Sequence, residues 1–131
     1  MKVFLFEVPA AEDVILVDAI IEGKFEFRLA LDTAATHTTI DSNVLYFSGY
    51  ELKGSKGGQE VETSNGIIIV GRYQIGSLEC LGIIKKNFEV QVYDFLACGI
   101  ASDYDGIIGL DFLKDHKFCI DVIKGEISVD I

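Results

Sequence analysis

Phe25, Phe27, Leu29 and Leu31 alternate with Lys24, Glu26 and Arg28, the period-two pattern of a strand with one buried face. Ahead of it, Asp13 to Ile21 is rich in Val and Ile, and Glu22-Gly23 is a hairpin-turn signal. These two strands are expected to pair antiparallel. Further strands are expected at Lys2 to Val8, Gly66 to Ile75, Phe88 to Tyr93, Phe118 to Ile123 and Glu126 to Asp130, with Lys124-Gly125 turning a second hairpin. Gly54 to Gly58 reads as a loop. Helical signals are few. Asp41-Ser42 can cap a short helix through Val44, Leu45 and Phe47, and Leu110 to Asp115 predicts another, with Asp111 at the positive end of its dipole. The pattern predicts a mainly β domain over residues 1–131, a compact barrel or folded sheet with one or two short helices.

A weak echo runs through the chain. A hairpin leads into Leu31-Asp32-Thr33-Ala34, a polar strand and a short helix; later, Phe88 to Phe95 leads into Asp105-Gly106-Ile107-Ile108-Gly109 and the helix at Leu110. Two such units suggest a pseudo-twofold domain.

Composition narrows the function. The 131 residues are 50% hydrophobic and 24% charged with one proline, which excludes a disordered or collagen-like chain. No apolar run approaches the roughly 20 residues that span a bilayer, so no membrane role is expected. Met1 to Phe6, followed by Glu7, lacks the long apolar region of a secretory signal. A formal charge of -10 repels phosphate backbones, which argues against a nucleic-acid partner. Cys80, Cys98 and Cys119 lie in or beside apolar segments and read as buried free thiols, so a cytoplasmic location is expected.

The chemistry sits in Leu29 to Ile40. An apolar strand runs into Asp32, then into small residues and threonines. A carboxylate there costs free energy unless partnered. Small residues let backbone amides approach it, and Thr33 offers a hydroxyl. The segment alone fits a confined functional carboxylate and a turn-capping Asp equally well. A second segment, Tyr104 to Leu113, places Ile107-Ile108 between glycines ahead of a short helix.

Together the two segments resemble the retropepsin-like aspartic proteases. Asp32-Thr33-Ala34-Ala35-Thr36 matches the D-[ST]-[GA] triplet in its apolar context, and Ile107-Ile108-Gly109-Leu110-Asp111-Phe112-Leu113 matches the downstream apolar-apolar-Gly element. The order and the roughly 75-residue spacing fit one domain of that family. The resemblance implies a closed acid-protease β barrel and a homodimer in which both copies of Asp32 face each other. It implies an endopeptidase acting on peptide or protein substrates. Thr33 would bond across the dimer axis, and Ala34, Thr36 and His37 would line the cleft. A flap would lie between Val61 and Ile75, turning near Ser64-Asn65-Gly66, with Tyr73 the nearest aromatic to close it. Ile107 and Ile108 would pack beneath the catalytic loop. The termini, Met1 to Phe6 and Glu126 to Ile131, would supply a sheet shared between subunits.

Two facing carboxylates cannot both ionise cheaply, so the pair holds one proton. The ionised member takes a proton from water while the protonated member bonds the scissile carbonyl. No metal or cofactor is needed. Ala34 stands where the family most often has Gly, and this supports a rival reading as a weak or inactive dimer serving as a peptide-binding scaffold. Asp103-x-Asp105-Gly106 lacks most ligands of a calcium loop, and His37 and His116 do not combine with the cysteines at metal-ligand spacing. Lys85-Lys86 reads as an ordinary solvated pair.

Overall fold

The computed structural model describes residues 1–8, 14–50, 56–63, 66–96, 99 and 103–131, with the backbone alone described within 56–70. Ten strands and two short helices follow one another: β1 Lys2–Leu5, β2 Leu16–Ile21, β3 Phe25–Leu31, β4 Thr39–Asp41, α1 Ser42–Phe47, β5 Lys56–Thr63, β6 Gly66–Cys80, β7 Ile83–Tyr93, β8 Gly106–Ile108, α2 Leu110–Leu113, β9 Lys117–Asp121 and β10 Glu126–Asp130. The larger sheet runs β2-β3-β8-β4-β7-β6-β5, and β6 also pairs with β2. Six strands therefore close on themselves as a barrel, with β5 carried outside on β6. A three-stranded sheet, β1-β10-β9, stands apart from it.

Local sequence sets the turns. Glu22 and Gly23 both adopt positive φ, the I′ geometry whose twist suits a two-residue hairpin, and Lys24 N–H donates to the Ile21 carbonyl at 3.1 Å. Leu81 and Gly82 do the same between β6 and β7. The barrel interior is filled by Leu29, Ile40, Ile75, Leu78, Ile108 and Phe112, all fully buried. Asp41 caps α1, its side chain accepting from Asn43 N–H.

The internal echo is real in the pairing. β2–β3 and β6–β7 are hairpins, each followed by a short strand and a short helix. β3 lies parallel to β8 and β7 parallel to β4, while β4 and β8 cross antiparallel. Exchanging the halves reproduces the same set of neighbours.

Several expectations need correction. Lys56 to Gly58 belongs to strand β5, not to a glycine loop. β6 and β7 extend well past the expected Gly66 to Ile75 and Phe88 to Tyr93. The expected terminal strands do form, and within one chain they pair with each other, Lys2 opposite Val129 and Leu5 opposite Glu126, with β9 on the outside. Cys80 is buried, and burial pushes its thiol up to about 12, whereas Cys119 is exposed. Cys98 lies outside the described residues.

Candidate active site

Asp32 follows β3 directly. Its N–H donates to the Ile108 carbonyl at 3.1 Å, which extends the parallel pairing of Leu31 with Ile108. The chain then turns sharply. Asp32 Oδ1 accepts Ala34 N–H at 2.9 Å and its carbonyl accepts Ala35 N–H at 3.2 Å. Asp32 thus caps a turn, as one reading of the segment expected, and remains half-buried at the protein surface. Thr33, Ala34, Thr36 and His37 are all exposed around it. Thr36 Oγ1 and His37 Nδ1 lie 2.9 Å apart. Thr33 makes no hydrogen bond among the described residues and lines a cleft of about 260 Å³ with Leu31, Leu110, Phe118 and Ile120.

The loop is clamped from the other half of the barrel. Asp111 accepts Thr38 N–H at 2.9 and 3.0 Å and the Thr38 hydroxyl at 2.7 Å, and also Phe112 N–H at 2.9 Å. Thr38 is fully buried, and its Oγ1 accepts Gly109 N–H at 3.1 Å. Leu110 N–H donates to the Ala35 carbonyl at 2.8 Å. This approach requires glycine: a Cβ on Gly109 would sit 2.8 Å from the Ala35 oxygen and 2.9 Å from the His37 carbonyl carbon. Gly106 is blocked equally, since a Cβ there would run into the Thr39 carbonyl oxygen. The sequence placed Asp111 at a helix dipole; its bond to Thr38, 73 residues away, was invisible to local pattern.

Two wide clefts among the described residues do not contain this carboxylate. One of about 640 Å³ lies between Lys2, Phe4, Asp18, Glu26, Arg28 and Cys80, and another involves Glu7 and Arg28. Among the described residues, Asp32 lies half-buried at the surface beside the cleft lined by Thr33.

The comparisons agree with this geometry. Residues 17–112 match the family model described as aspartyl protease. That stretch covers most of the chain and includes both the Asp32 loop and the Ile107-Ile108-Gly109 element.

The chain belongs to the aspartyl protease family.

Among solved structures, this family member is similar to a retropepsin-like aspartic protease from Rickettsia conorii, with 17% identity, 99% of each chain covered and a TM-score of 0.72. The retropepsin-like fold is thereby shown. No curated protein matches the chain.

The other expected site residues divide. The structure brings Asp32, Thr33, Ala34, Thr36 and His37 into one loop. Strands β5 and β6 form the expected hairpin, with Thr63 opposite Gly66, so Gly66 is a strand residue; Ser64 and Asn65 lie outside the described residues. Tyr73 is no flap-tip aromatic: it pairs with Val90 and packs edge-on against Tyr50, with ring centroids 5.4 Å apart. Ile107 and Ile108 do lie beside β3 under the Asp32 turn. Lys85 is not a freely solvated lysine. Its side chain is 19% exposed, it bonds the Asp111 carbonyl at 3.2 Å and Asp115 at 3.1 Å, and its ammonium lies 5.3 Å from the Phe112 ring centroid. Among the described residues no group of His, Cys, Asp and Glu could hold a metal ion, and no helix is long and apolar enough to cross a membrane.

Proposed function

We propose that the chain is a cytoplasmic aspartic endopeptidase, a single domain over residues 1–131 that works as a homodimer with one Asp32 from each copy. The observation that carries this reading is the half-buried Asp32 turn, exposed on one side and clamped from behind by Asp111. A lone carboxylate on an open surface can act as a base but has no acid beside it. A second copy supplies that acid and the missing wall of a cleft. The two carboxylates share one proton, because like charges a few ångströms apart do not both ionise. The ionised Asp32 takes a proton from water, which attacks the scissile carbonyl. The protonated Asp32 donates to the carbonyl oxygen and supports the tetrahedral intermediate; the Asp32 that took the proton from water then passes it to the leaving amine as the C–N bond breaks.

In this reading Thr33, exposed and without a hydrogen bond among the described residues, bonds across the axis. Ala34, Thr36 and His37 contact the peptide beside Asp32, and Ser64, Asn65 and Gly66 contact it from the flap. The exposure of Ala34 favours the catalytic reading over the scaffold reading, since its methyl is accommodated at the loop surface. The free thiols of Cys80 and Cys119 support the cytoplasmic placement.

The test is Asp32→Asn assayed against a peptide library. Asn keeps the shape and can still accept Ala34 N–H, but it cannot take a proton from water. Turnover is expected to fall by at least about a hundredfold with the melting temperature unchanged, the scale of losing general base catalysis. Wild-type turnover in the variant ends the protease mechanism, and absence of cleavage by the unaltered chain selects the scaffold.

A further inference from the structure

We propose that Lys85 is a positioning residue for the Asp32 loop: its ammonium holds the Asp111 carbonyl and thereby fixes the carboxylate with which Asp111 grips Thr38. The proposal rests on the protease reading above and adds to it a residue remote from the peptide.

Lys85 stands where β7 calls for an apolar side chain. Along the strand Ile83 is buried, Ile84 is exposed, Lys85 is 19% exposed at its side chain and Lys86 is exposed, so the alternation turns Lys85 inward. Its cross-strand neighbour on β6, Leu78, is fully buried. An ammonium at such a position costs free energy unless it is partnered.

Its partners lie on α2 and just beyond it. Lys85 Nζ donates to the Asp111 carbonyl at 3.2 Å and to Asp115 Oδ2 at 3.1 Å, and it lies 5.3 and 5.9 Å from the ring centroids of Phe112 and Phe88. The two bonds differ in kind. Asp115 is 61% exposed at its side chain, so water can replace the ammonium there at little cost. The Asp111 carbonyl belongs to a helix of four residues, and the last carbonyls of a helix have no partner within it. The Gly109 and Leu110 carbonyls accept the N–H groups of Phe112, Leu113 and Lys114, whereas the Asp111 carbonyl accepts the ammonium.

Asp111 is thus held at both ends. Its carbonyl faces Lys85, and its carboxylate takes the N–H and the hydroxyl of Thr38. One residue earlier, Leu110 N–H bonds the Ala35 carbonyl, and Ala35 N–H in turn bonds the Asp32 carbonyl. So short a helix, with no side-chain cap, has few bonds of its own to fix its place. α1, by contrast, has six residues and the Asp41 cap. The position of α2 is therefore set from β7 through Lys85 and handed on to Ala35 and Thr38. A misplacement of about 1 Å at a reacting group costs up to about a hundredfold in rate, so a lysine that never meets the peptide can govern turnover.

The test compares Lys85→Met, Lys85→Arg and Asp115→Asn with the unaltered chain, by kinetics on one cleaved peptide and by amide hydrogen exchange. Met keeps the apolar stem and removes the donor and the charge. It is expected to lower kcat about tenfold with KM within about twofold, the split of a group that acts on the reacting geometry rather than on binding. Arg keeps a charged donor and is expected to restore kcat to within about threefold. Asp115→Asn leaves the carbonyl bond in place and is expected to leave kcat unchanged. In Lys85→Met the Thr38 amide is expected to exchange about tenfold faster relative to the amides of β2, a local loosening that uniform destabilisation does not produce. Should Lys85→Met fail to fold, Lys85→Gln, uncharged and one atom shorter, takes its place in both measurements. An unchanged kcat, an equal loss in Asp115→Asn, or Thr38 exchange that rises only in step with β2 overturns the proposal. If the unaltered chain cleaves no peptide, the protease reading fails by itself, and Thr38 exchange still decides whether Lys85 sets the grip of Asp111.

Discussion

Matching the two halves of the barrel by strand register sets Asp32 against Tyr93. Each residue follows the strand residue that pairs with the other half's short strand, Leu31 with Ile108 and Val92 with Ile40. At one position a carboxylate turns outward on a tight loop. At the other an aromatic ring packs against Phe95, with centroids 4.7 Å apart. The helix starts differ in the same way. Asp41 caps α1 from its own N-cap position, while Gly109 begins α2 without a side-chain cap because the Ala35 and His37 backbone presses against it. The acid moves two residues along to Asp111, where it also reaches Thr38. In return, Asn43 bonds Asp94 at 3.1 Å and Phe95 N–H bonds Asp41 at 3.3 Å, a longer and looser grip on the second loop. One architecture, used twice, holds one loop that carries a carboxylate and another that carries an aromatic ring. The tighter clamp is on the loop that carries Asp32.

The sharpest way to break this asymmetry is Gly106→Ala. Its Cβ would enter the space of the Thr39 carbonyl, which is backbone and cannot step aside. Overpacking of this kind costs about 3 kcal/mol, the upper part of the usual range, and is read as a shift in urea midpoint. Gly76→Ala is the contrast: the atoms nearest its Cβ are the carboxylate end of Glu22, a side chain that can swing away at the cost of its bond from Ser77 N–H, and a smaller shift is expected.

Removing the two helix-start acids ranks the clamps. Asp111→Ala leaves the buried Thr38 N–H and hydroxyl without an acceptor, and a hydrogen bond to a charged group is worth about 1.5–3 kcal/mol. Asp41→Ala loses a helix cap worth about 0.5–2 kcal/mol. Asp111→Ala is therefore expected to destabilise more and to depress peptide turnover beyond its effect on KM, since the Asp32 loop loses its support. Equal midpoints and equal turnover for the two variants would remove the distinction between the clamps.

Local pattern revealed what local physics decides. The Glu22-Gly23 and Lys124-Gly125 turns, the Asp41 cap and the alternation of β3 were all legible, because each rests on residues a few positions apart. The start of β5, Lys56 to Gly58, reads as a loop since its glycines mask a strand whose existence comes from pairing with β6. Cys119 was read as buried because β9 is apolar in places, yet an edge strand exposes such residues. Asp32 and its loop were legible as a motif. The Asp111–Thr38 bond and the Lys85 anchor were not, since they join distant segments through space.

The smallest expected effect concerns that anchor. Lys85 holds the Asp115 carboxyl below its usual range, first through their hydrogen bond and then through charge attraction. A carboxyl lowered on folding stabilises the native state above its unfolded-state range and loses that contribution as pH falls through the folded one. Asp115→Asn is thus expected to leave a slightly shallower decline in stability between about pH 4 and pH 2, with little change at neutral pH. An unchanged acid limb in urea titrations would show that α2 gains nothing from this pair.

The crossing of β3 with β8 has a temporal consequence. Arg28 and Asp105 exchange hydrogen bonds across 77 residues, and Asp32 takes its backbone partner from Ile108. A nascent chain that has emerged only through β7 holds the whole Asp32 motif but has nothing to pair it against. Contacts between segments so far apart are slow to form, because a long loop must close before any bond repays it. The Asp32 loop is thereby slow to take its final shape, and synthesis withholds its clamp until β8 and α2 have emerged.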